Sequence, residues 1–350
     1  MRGVRLLFWT ATAVLFMALR SLAQPAIAVR VENLMDQMTL EEKVGQMTQF
    51  TLETVCVMDQ NGIREPLTLD QKKLREVILD HGVGALFNVG THAHTVERWN
   101  EIISEIQNIA REGRLKIPVL YGIDAIHGAT YTRGATLFPQ SIAMAATWNP
   151  ELVRKSSEIT AVEVRASGIP WNFNPVLDSG RQPLWPRLWE TFGEDAYLTS
   201  ALGSAYILGQ EGEPNNIAAP NKVAACMKHF IGYGAPLSGK DRTPAWIPDH
   251  YLRQYILPPY KAAIAAGVHT VMINSADVNG VPVHVSHYLL TDLLRGELGF
   301  TGVIDSDYGD ISKLYQTHHV AADNKEAVQM AVMAGIDMCM VPGDYSFTRD

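Results

Sequence analysis

Three aspartates lie within six positions of the segment GVIDSDYGDI, residues 302–311, directly behind an apolar run. They are Asp305, Asp307 and Asp310. Carboxylates act as nucleophiles and as general acids or bases. Burying a carboxylate costs on the order of several kcal/mol unless it has a partner or a task. We therefore expect at least one of the three to do chemistry, although spacing alone does not choose between Asp305 and Asp307.

Other polar residues stand near the ends of four further apolar runs. These residues are Asp124, Asp178, Lys228, His229, Asn274 and Asp277. One such residue commonly caps a helix or satisfies a loop. Acids, a lysine and a histidine converging from five runs are hard to explain as caps. The pattern predicts one functional site at one edge of a sheet.

The runs that must position these residues are strand-like and alternate with helix-like segments. The strand candidates are residues 83–90, 117–124, 169–178, 223–234, 268–280, 302–309 and 335–343. The helix candidates include 95–112, 150–166 and 324–334, and Thr39 and Glu42 have the spacing of a capping box. Such alternation predicts an α/β fold, and seven strand candidates favour a (β/α)8 TIM-type barrel over an open sheet. Active sites of these barrels lie at the carboxyl ends of the strands.

The composition indicates a globular protein, and the sequence has no motif for a dinucleotide cofactor after its first strand candidate. The chain has 350 residues, 47% hydrophobic and 19% charged, which suffices for a large core. No Gly-x-Gly-x-x-Gly follows the first strand candidate, so no dinucleotide cofactor is expected. Cys56, Cys226 and Cys339 lack metal-ligand spacing, and buried free thiols are expected for the last two.

Residues 1–23 have the layout of a secretory signal peptide. Arg2 and Arg5 precede an apolar run that is shorter than the ~20 residues needed to cross a bilayer, and Arg20 follows it. We expect cleavage after Ala23, export to the periplasm or the outside of the cell, and no stable membrane insertion. Loss of three arginines and no acids takes the formal charge from -8 to -11, a balance that disfavours nucleic-acid binding.

Five blocks resemble the amino-terminal barrel of glycoside hydrolase family 3, in its branch of exo-acting β-glucosidases and glucan glucohydrolases. The blocks are YGIDAIHG, FNPVLDSGRQPLWPRLWETFGEDAYL, KHFIGYG with GKDRTPA, NGVPVHVSHYLLTDLLRGELGFTGVIDSDY, and ADNKEAVQMAVMAGIDMCMVP. They follow the family's order over about residues 30–348. The resemblance implies a barrel over residues 30–350 and release of β-linked glucose or a related sugar from the non-reducing end of oligosaccharides, with retention of configuration.

Carried over residue by residue, the resemblance makes Asp307 in the SDY motif the nucleophile. The residues that it assigns to sugar binding are Asp124, Arg187, Lys228, His229 and Tyr308. Asp305 is then expected to be a hydrogen-bonding partner deeper in the barrel, because it lies two positions away on the same strand face. Asp310 is expected to cap the next helix.

Some of these assignments leave alternatives open. Lys228 and His229 are neighbours, and neighbours in a regular strand face opposite sides. If both contact sugar, the backbone must bulge or take an unusual peptide geometry. Asp178 either contacts substrate or organises a loop that supports Arg187, and the second role is expected. Trp185 and Trp189 in the same block either stack on sugar or pack, and packing is expected for at least one of them.

The chain departs from the family pattern in two places. It reads Asn274-Ser275-Ala276 where many relatives carry a tyrosine, so the contact of that tyrosine must be absent or supplied elsewhere. The larger departure concerns the acid/base. Two-domain members draw it from a second α/β domain, whereas one-domain members use a histidine in the loop that reads GKDRTPA here, without histidine. We therefore expect a barrel truncated near its carboxyl-terminal end, with the acid/base and the second domain missing from this chain.

Two other functions stay open on sequence grounds. The first is a sugar-binding barrel without catalysis. The second is a metal-dependent barrel hydrolase, suggested by His92 and His94 behind the first strand candidate. That reading needs further histidines at the ends of the 268–280 and 302–309 candidates, and these ends have none. No metal is therefore expected.

Overall fold

The computed structural model describes residues 27–60, 62–90, 92–212, 216–343 and 345–348. The predicted signal peptide, residues 1–23, lies outside these ranges. The chain divides into two units at the boundary between Val44 and Gly45. In the first unit, residues 27–37 are helical, and the predicted capping box is present. The Thr39 N–H donates to Glu42 Oε2 at 2.9 Å, and the Glu42 N–H donates to Thr39 Oγ1 at 3.2 Å.

The second unit contains an eight-stranded parallel sheet whose strands neighbour each other in chain order. The strands are β1 Thr48–Thr51, β2 Ala85–Phe87, β3 Leu120–Ile123, β4 Trp171–Asn172, β5 Ala224–Phe230, β6 Thr270–Ile273, β7 Val303–Asp305 and β8 Cys339–Met340. Strand β8 pairs with β1, and a single bridge between Asp305 and Met338 joins β7 to the start of β8. The sheet is thus a nearly closed barrel, and the predicted (β/α)8 fold is confirmed.

Strand β1 was not among the seven predicted strands. Its sequence, TQFT, has only one large apolar residue, Phe50, and it follows the preceding helix after one residue. A four-residue strand that begins directly after a helix has no apolar run of its own. Its membership of the sheet depends on hydrogen bonding to both neighbours, such as Val341 N–H to the Gln49 carbonyl at 3.0 Å.

Helices and turns fill the connections between the strands. The longer α-helices are Val96–Ala110, Pro150–Ala166, Ala196–Glu211, Leu257–Ala265 and Asn324–Ala334. Shorter α-helices are Leu40–Gln46, Gln71–Arg75, Ser141–Ala145, Asp249–Tyr251 and Asp310–Gln316, and π-helical segments are Glu76–Asp80, Leu252–Ile256 and Tyr288–Glu297. Short 3-10 turns are Leu52–Val55, Leu188–Glu190, Val283–Val285 and Tyr345–Thr348, and two-residue hairpin strands are Met58–Asp59, Gly62–Ile63, Asp277–Val278 and Val281–Pro282. The three predicted helices are confirmed.

Local sequence explains where the predicted helices begin. Thr95 and Asp323 accept the N–H of the residue three positions later, from Arg98 at 3.2 Å and Glu326 at 2.9 Å. Asn149 caps the helix Pro150–Ala166, which has proline at its first position. Such caps satisfy amide groups that otherwise lack partners in the first turn.

The barrel interior is packed with large side chains. One buried cluster consists of Ala85, Phe87, Trp171, Phe173, Cys226, Met272, Met338 and Met340. The Trp171 indole N–H donates to Thr270 Oγ1 at 2.8 Å. Gly122 in β3 leaves room for this packing, since a Cβ there would lie 2.1 Å from the Phe173 ring. Cys56, Cys226 and Cys339 are buried free thiols, as expected for the last two.

No helix in the described ranges is both long enough and apolar enough to cross a bilayer. Because the strands are parallel, their carboxyl ends all open at the same edge of the barrel. The polar residues identified from sequence follow these ends.

Candidate active site

Asp307 lies two residues beyond β7 and is 6% exposed. Its Oδ2 accepts the Ser275 hydroxyl at 2.6 Å, and its Oδ1 accepts the Tyr308 N–H at 2.5 Å. The Asp307 N–H donates to His284 Nε2 at 3.2 Å. Ser275, in the Asn274-Ser275-Ala276 segment, therefore supplies a contact to the carboxylate. His284 was missed from sequence, where nothing distinguished it from a loop histidine.

The charge of Asp307 is stabilised by basic side chains from three segments. His229 Nε2 lies 3.8 Å from Oδ2, and Arg242 Nη2 lies 3.8 Å from Oδ1. Burial raises the pKa of the carboxyl, but His229, Arg242, Arg187 and the Ser275 hydrogen bond outweigh it. The net pKa of Asp307 lies well below its usual range. Asp307 is therefore a buried carboxylate that stays ionised at neutral pH.

Asp124 lies directly after β3, and two donors hold its carboxylate. Lys228 Nζ donates to Oδ1 at 2.5 Å, and Asn88 Nδ2 donates to Oδ2 at 2.7 Å. The Asp124 N–H donates a hydrogen bond to Asn88 Oδ1 at 2.9 Å. The Asp124 side chain is 28% exposed, whereas Lys228 is 3% exposed. The carboxylate thus keeps acceptor capacity for a bound molecule. Asn88 was missed from sequence, although it lies within the 83–90 strand candidate and directly follows β2.

His229 is oriented by Asp178. The imidazole Nδ1 lies 2.7 Å from Asp178 Oδ2, and the His229 N–H donates to the same oxygen at 3.1 Å. Tyr260 adds a hydrogen bond from its hydroxyl to the His229 carbonyl at 2.8 Å. With Nδ1 bound to the carboxylate, Nε2 faces Arg187 at 3.3 Å and Asp307 at 3.8 Å. The expectation that Asp178 supports Arg187 was wrong, since Asp178 holds His229 instead.

Lys228 and His229 both face the site although they are neighbours. The register of β5 against β6 shifts between Met227 and Phe230, and the Lys228–His229 peptide bond is cis. A second cis peptide follows at Phe230–Ile231. The backbone irregularity on which the joint assignment depended is therefore present.

Arg187 is held by an ion pair with Glu190, three residues later in the chain. Its Nε and Nη2 donate to Glu190 Oε1 and Oε2 at 2.8 and 2.7 Å, a bidentate pair. The guanidinium also lies over the Tyr233 ring, 5.3 Å from its centroid. Glu190 was missed from sequence. In the block WPRLWE it lies three residues after Arg187, and that spacing alone did not identify it as the partner of Arg187. Of the two tryptophans, Trp185 is buried and packs on Tyr233, and Trp189 is 44% exposed.

The remaining two aspartates of the opening segment differ sharply from Asp307. Asp305 is fully buried, and neither of its carboxyl oxygens has a partner among the described residues. Burial and the Asp307 charge raise its pKa well above the usual range. The predicted depth is correct, but the predicted hydrogen bonding is not observed. Asp310 is 2% exposed and pairs with Arg242 and Lys313, while Gly309 occupies the cap position that we had assigned to it.

Tyr308 lies at the rim of this site. It is 47% exposed, and its ring is 6.1 Å from that of Phe87 in an edge-on arrangement. Its aromatic face is thus accessible beside the buried Asp307. An exposed aromatic next to a carboxylate is well placed to contact an apolar face of a bound molecule.

The two histidines behind β2 do not build a metal site. His94 is buried with its ring 5.4 Å from Trp99, and His92 lies 3.4 Å from Glu65. Across the described ranges, no three His, Cys, Asp or Glu side chains are grouped so that they could hold a metal ion. The described residues thus do not form the ligand set of a metal-dependent hydrolase.

Comparisons with known proteins agree with this geometry. Residues 39–348 match the family described as glycosyl hydrolase family 3 N terminal domain. The lysosomal beta glucosidase of Dictyostelium discoideum is 44% identical over 331 residues, 91% of this chain and 40% of that protein. The periplasmic beta-glucosidase of Salmonella typhimurium is 34% identical over 316 residues, 90% of this chain and 38% of that protein.

Solved structures give the same result. A beta-glucosidase from Listeria innocua in complex with glucose has a TM-score of 0.79 and 31% identity, covering 92% of this chain and 42% of that one. The chain thus spans about two fifths of the length of these relatives. The extent of the family match and the identity to these relatives confirm the resemblance found in the sequence. The chain belongs to glycosyl hydrolase family 3, and residues 39–348 match the N-terminal domain of that family.

Proposed function

We propose that this protein is a retaining glycosidase that acts on β-glucosides or closely related β-glycosides, with Asp307 as its nucleophile. The observation that carries the proposal is the ionised, buried Asp307 carboxylate at the carboxyl edge of the barrel, beside basic residues from separate segments. A retaining mechanism requires a carboxylate that attacks the anomeric carbon and forms a covalent glycosyl ester. A carboxylate kept ionised under apolar cover suits that role.

The terminal sugar would lie between Asp307 and Asp124. Asp124 offers acceptors to hydroxyl groups, and Lys228, Arg187 and His229 offer donors. Tyr308 would contact the sugar or its neighbour at the rim. Recognition of the chain end in this way gives exo action, with one sugar released from the non-reducing end at each turnover.

We propose further that the acid/base lies outside this chain, in a second α/β domain. Asp178 and Glu190 are each paired with a basic side chain, which leaves them poorly suited to protonate a leaving group. Burial raises the pKa of Asp310 to about 6, but this carboxyl is 2% exposed and contacts Arg242 and Lys313, so it is poorly placed to reach a leaving group. The named relatives are more than twice as long as the matched region, so they have room for such a domain. The proposed signal peptide at residues 1–23 agrees with the periplasmic location in the name of the Salmonella relative, and export of this protein is proposed on that basis.

The proposal is tested by trapping the glycosyl-enzyme. A 2,4-dinitrophenyl 2-deoxy-2-fluoro-β-glucoside has a leaving group that needs no protonation, so even a chain without the acid/base should release one equivalent of dinitrophenolate. Mass spectrometry of the peptides should then place the added sugar on Asp307. Labelling of another residue, or none in a folded protein that binds the sugar, would favour the non-catalytic sugar-binding alternative or another nucleophile.

Asp124→Asn should weaken sugar binding and lower kcat/KM by about 10- to 100-fold, because a charged hydrogen bond to a hydroxyl contributes roughly 1.5–3 kcal/mol. Removing this charge also leaves the buried Lys228 ammonium without its carboxylate. Calorimetric titration with glucose and steady-state kinetics measure the effect. Asp337→Asn is the matched control, since it removes the carboxylate that pairs with Arg295 elsewhere on the barrel. Equal losses in the two variants would contradict the binding role.

A further inference from the structure

The loop after β5 carries an arginine toward the nucleophile. The loop is anchored on one side by the Trp185 indole N–H, which donates to Asp241 Oδ1 at 3.1 Å. Ser238 Oγ and Thr243 Oγ1 are 2.7 Å apart, and the Lys240 N–H donates to Ser238 Oγ at 3.1 Å. These hydrogen bonds hold the backbone of the loop in place, so the position of Arg242, which lies between Asp241 and Thr243, is well defined.

Arg242 occupies this loop in a conformation that non-glycine residues rarely adopt, with φ of 53°. Its Nη1 donates to Asp310 Oδ1 at 2.8 Å, while its Nη2 lies 3.8 Å from Asp307 Oδ1. Asp310 is buried and also accepts Lys313 Nζ at 2.5 Å. The Arg242 guanidinium is therefore held in place by its hydrogen bond to Asp310, with its other terminal nitrogen facing Asp307. A sparsely populated backbone conformation that neighbouring contacts maintain is an indication of a functional position.

Asp307 has two oxygens with different surroundings. Oδ2 accepts the Ser275 hydroxyl and lies near His229, whereas Oδ1 accepts the Tyr308 N–H and has Arg242 as its nearby charge. At 3.8 Å Arg242 is an electrostatic neighbour rather than a hydrogen-bond donor, so it does not itself occupy a lone pair of Oδ1.

We propose that Arg242 is a positioning residue for the nucleophile: held by Asp310, it keeps Asp307 ionised and oriented until attack. This inference rests on the proposed function. In the attack, an Asp307 oxygen bonds to the anomeric carbon as the bond to the leaving group breaks, and the negative charge passes from the carboxylate to the leaving group. Arg242 stabilises the charged carboxylate before attack, and Asp310 remains its partner once the ester is neutral.

The test is the pH dependence of the trapping rate, measured with the 2,4-dinitrophenyl 2-fluoroglucoside. Because a positive charge lowers the pKa of a carboxyl, its removal raises the pH at which the carboxylate is lost. Arg242→Met should therefore move the acid limb of the second-order rate upward by about one pH unit or more, so that the slowing of trapping relative to the parent grows as the pH is lowered. Arg242→Lys keeps the positive charge, so its acid limb should lie close to that of the parent protein.

Lys313→Met is the matched control, because it removes the other cation on Asp310 without touching Asp307. It should leave the acid limb within about 0.3 pH units of the parent. Circular dichroism and thermal melting identify variants that are not folded, and Arg242→Gln replaces Arg242→Met if that variant is among them.

Three results can be told apart. Absence of dinitrophenolate release from the parent protein contradicts the proposed function itself. An active parent whose Arg242→Met or Arg242→Gln variant keeps the same acid limb overturns only the role of Arg242. Equal slowing in all variants, without a shift of the limb, also overturns it, since that pattern reports a structural contribution alone.

Discussion

Replacing Asp307 with alanine is expected to lower the turnover of an aryl β-glucoside by on the order of 10⁴-fold or more, because Asp307 is the group that we propose to form the glycosyl ester. The folded barrel should persist, since Asp307 lies beyond the end of β7 and outside the apolar cluster that fills the interior. Steady-state kinetics with a dinitrophenyl glucoside and a thermal melt of the variant measure the two effects.

The Asp307→Ala variant should also be rescued by azide. The missing carboxylate leaves space on the face opposite the leaving group, and a small anion that enters there attacks the anomeric carbon. The product is then a glucosyl azide of inverted configuration, which nuclear magnetic resonance identifies. The surrounding Arg242 and His229 favour an anion in this position.

Asp305→Asn is the matched control for the same experiment. Burial and the Asp307 charge raise the pKa of the Asp305 carboxyl well above its usual range, and asparagine closely reproduces the shape of a neutral carboxylic acid. Activity within about tenfold of the parent is expected, with no azide effect, while Asp305→Ala should lose stability more than chemistry because it opens a cavity. If an Asp305 variant is the one rescued by azide and Asp307→Ala stays active, the nucleophile has been assigned to the wrong carboxylate.

The second large effect concerns the leaving group. General acid catalysis contributes roughly 10²- to 10⁴-fold, and its contribution grows as the leaving group becomes more basic. The 350-residue chain should therefore react with a dinitrophenyl β-glucoside while hydrolysing cellobiose about 10²- to 10⁴-fold more slowly than the longest protein that its gene encodes. A plot of rate against the pKa of the leaving phenol should be steep for the 350-residue chain and shallow for the longer protein.

Product analysis of cellobiose incubations by chromatography decides this point. Near-normal turnover of cellobiose by the 350-residue chain would place the acid/base within it, and the proposal of a second catalytic domain would have to be abandoned. Asp307→Ala in the longer protein is the control for background hydrolysis, because it removes the proposed nucleophile while leaving any acid/base in place.

Much of the fold and part of the site could be predicted from sequence. Apolar runs that alternate with amphipathic helices predict a parallel barrel, since strands covered by helices on the outside and packed inside have no polar face. Parallel strands bring their carboxyl ends to one edge, so Asp124, Lys228 and Asp307 could be expected together despite their separation along the chain. The resemblance to the family singled out Asp307 from its neighbours.

What the tertiary structure decided is which group each charged side chain contacts. The strand pattern places Asp305 and Asp307 on one face, yet one has a raised pKa and the other a lowered one. The difference arises because burial opposes the charge of both, and only Asp307 has His229 and Arg242 within 4 Å. Those partners come from a distant strand end and loop.

The elements and residues that were not predicted from sequence also depend on contacts between distant parts of the chain. Strand β1 is too short to show a period of its own, and Asn88, Glu190 and His284 have ordinary local sequences. Asp178 is expected from sequence to support Arg187, whereas chain folding brings it to His229 on β5. Sequence by itself determined the repeating strands and helices and the edge where polar groups gather, because these follow from local periodicity. The protonation and orientation of each group were decided only by tertiary structure, because electrostatic and hydrogen-bond energies depend on distances through space.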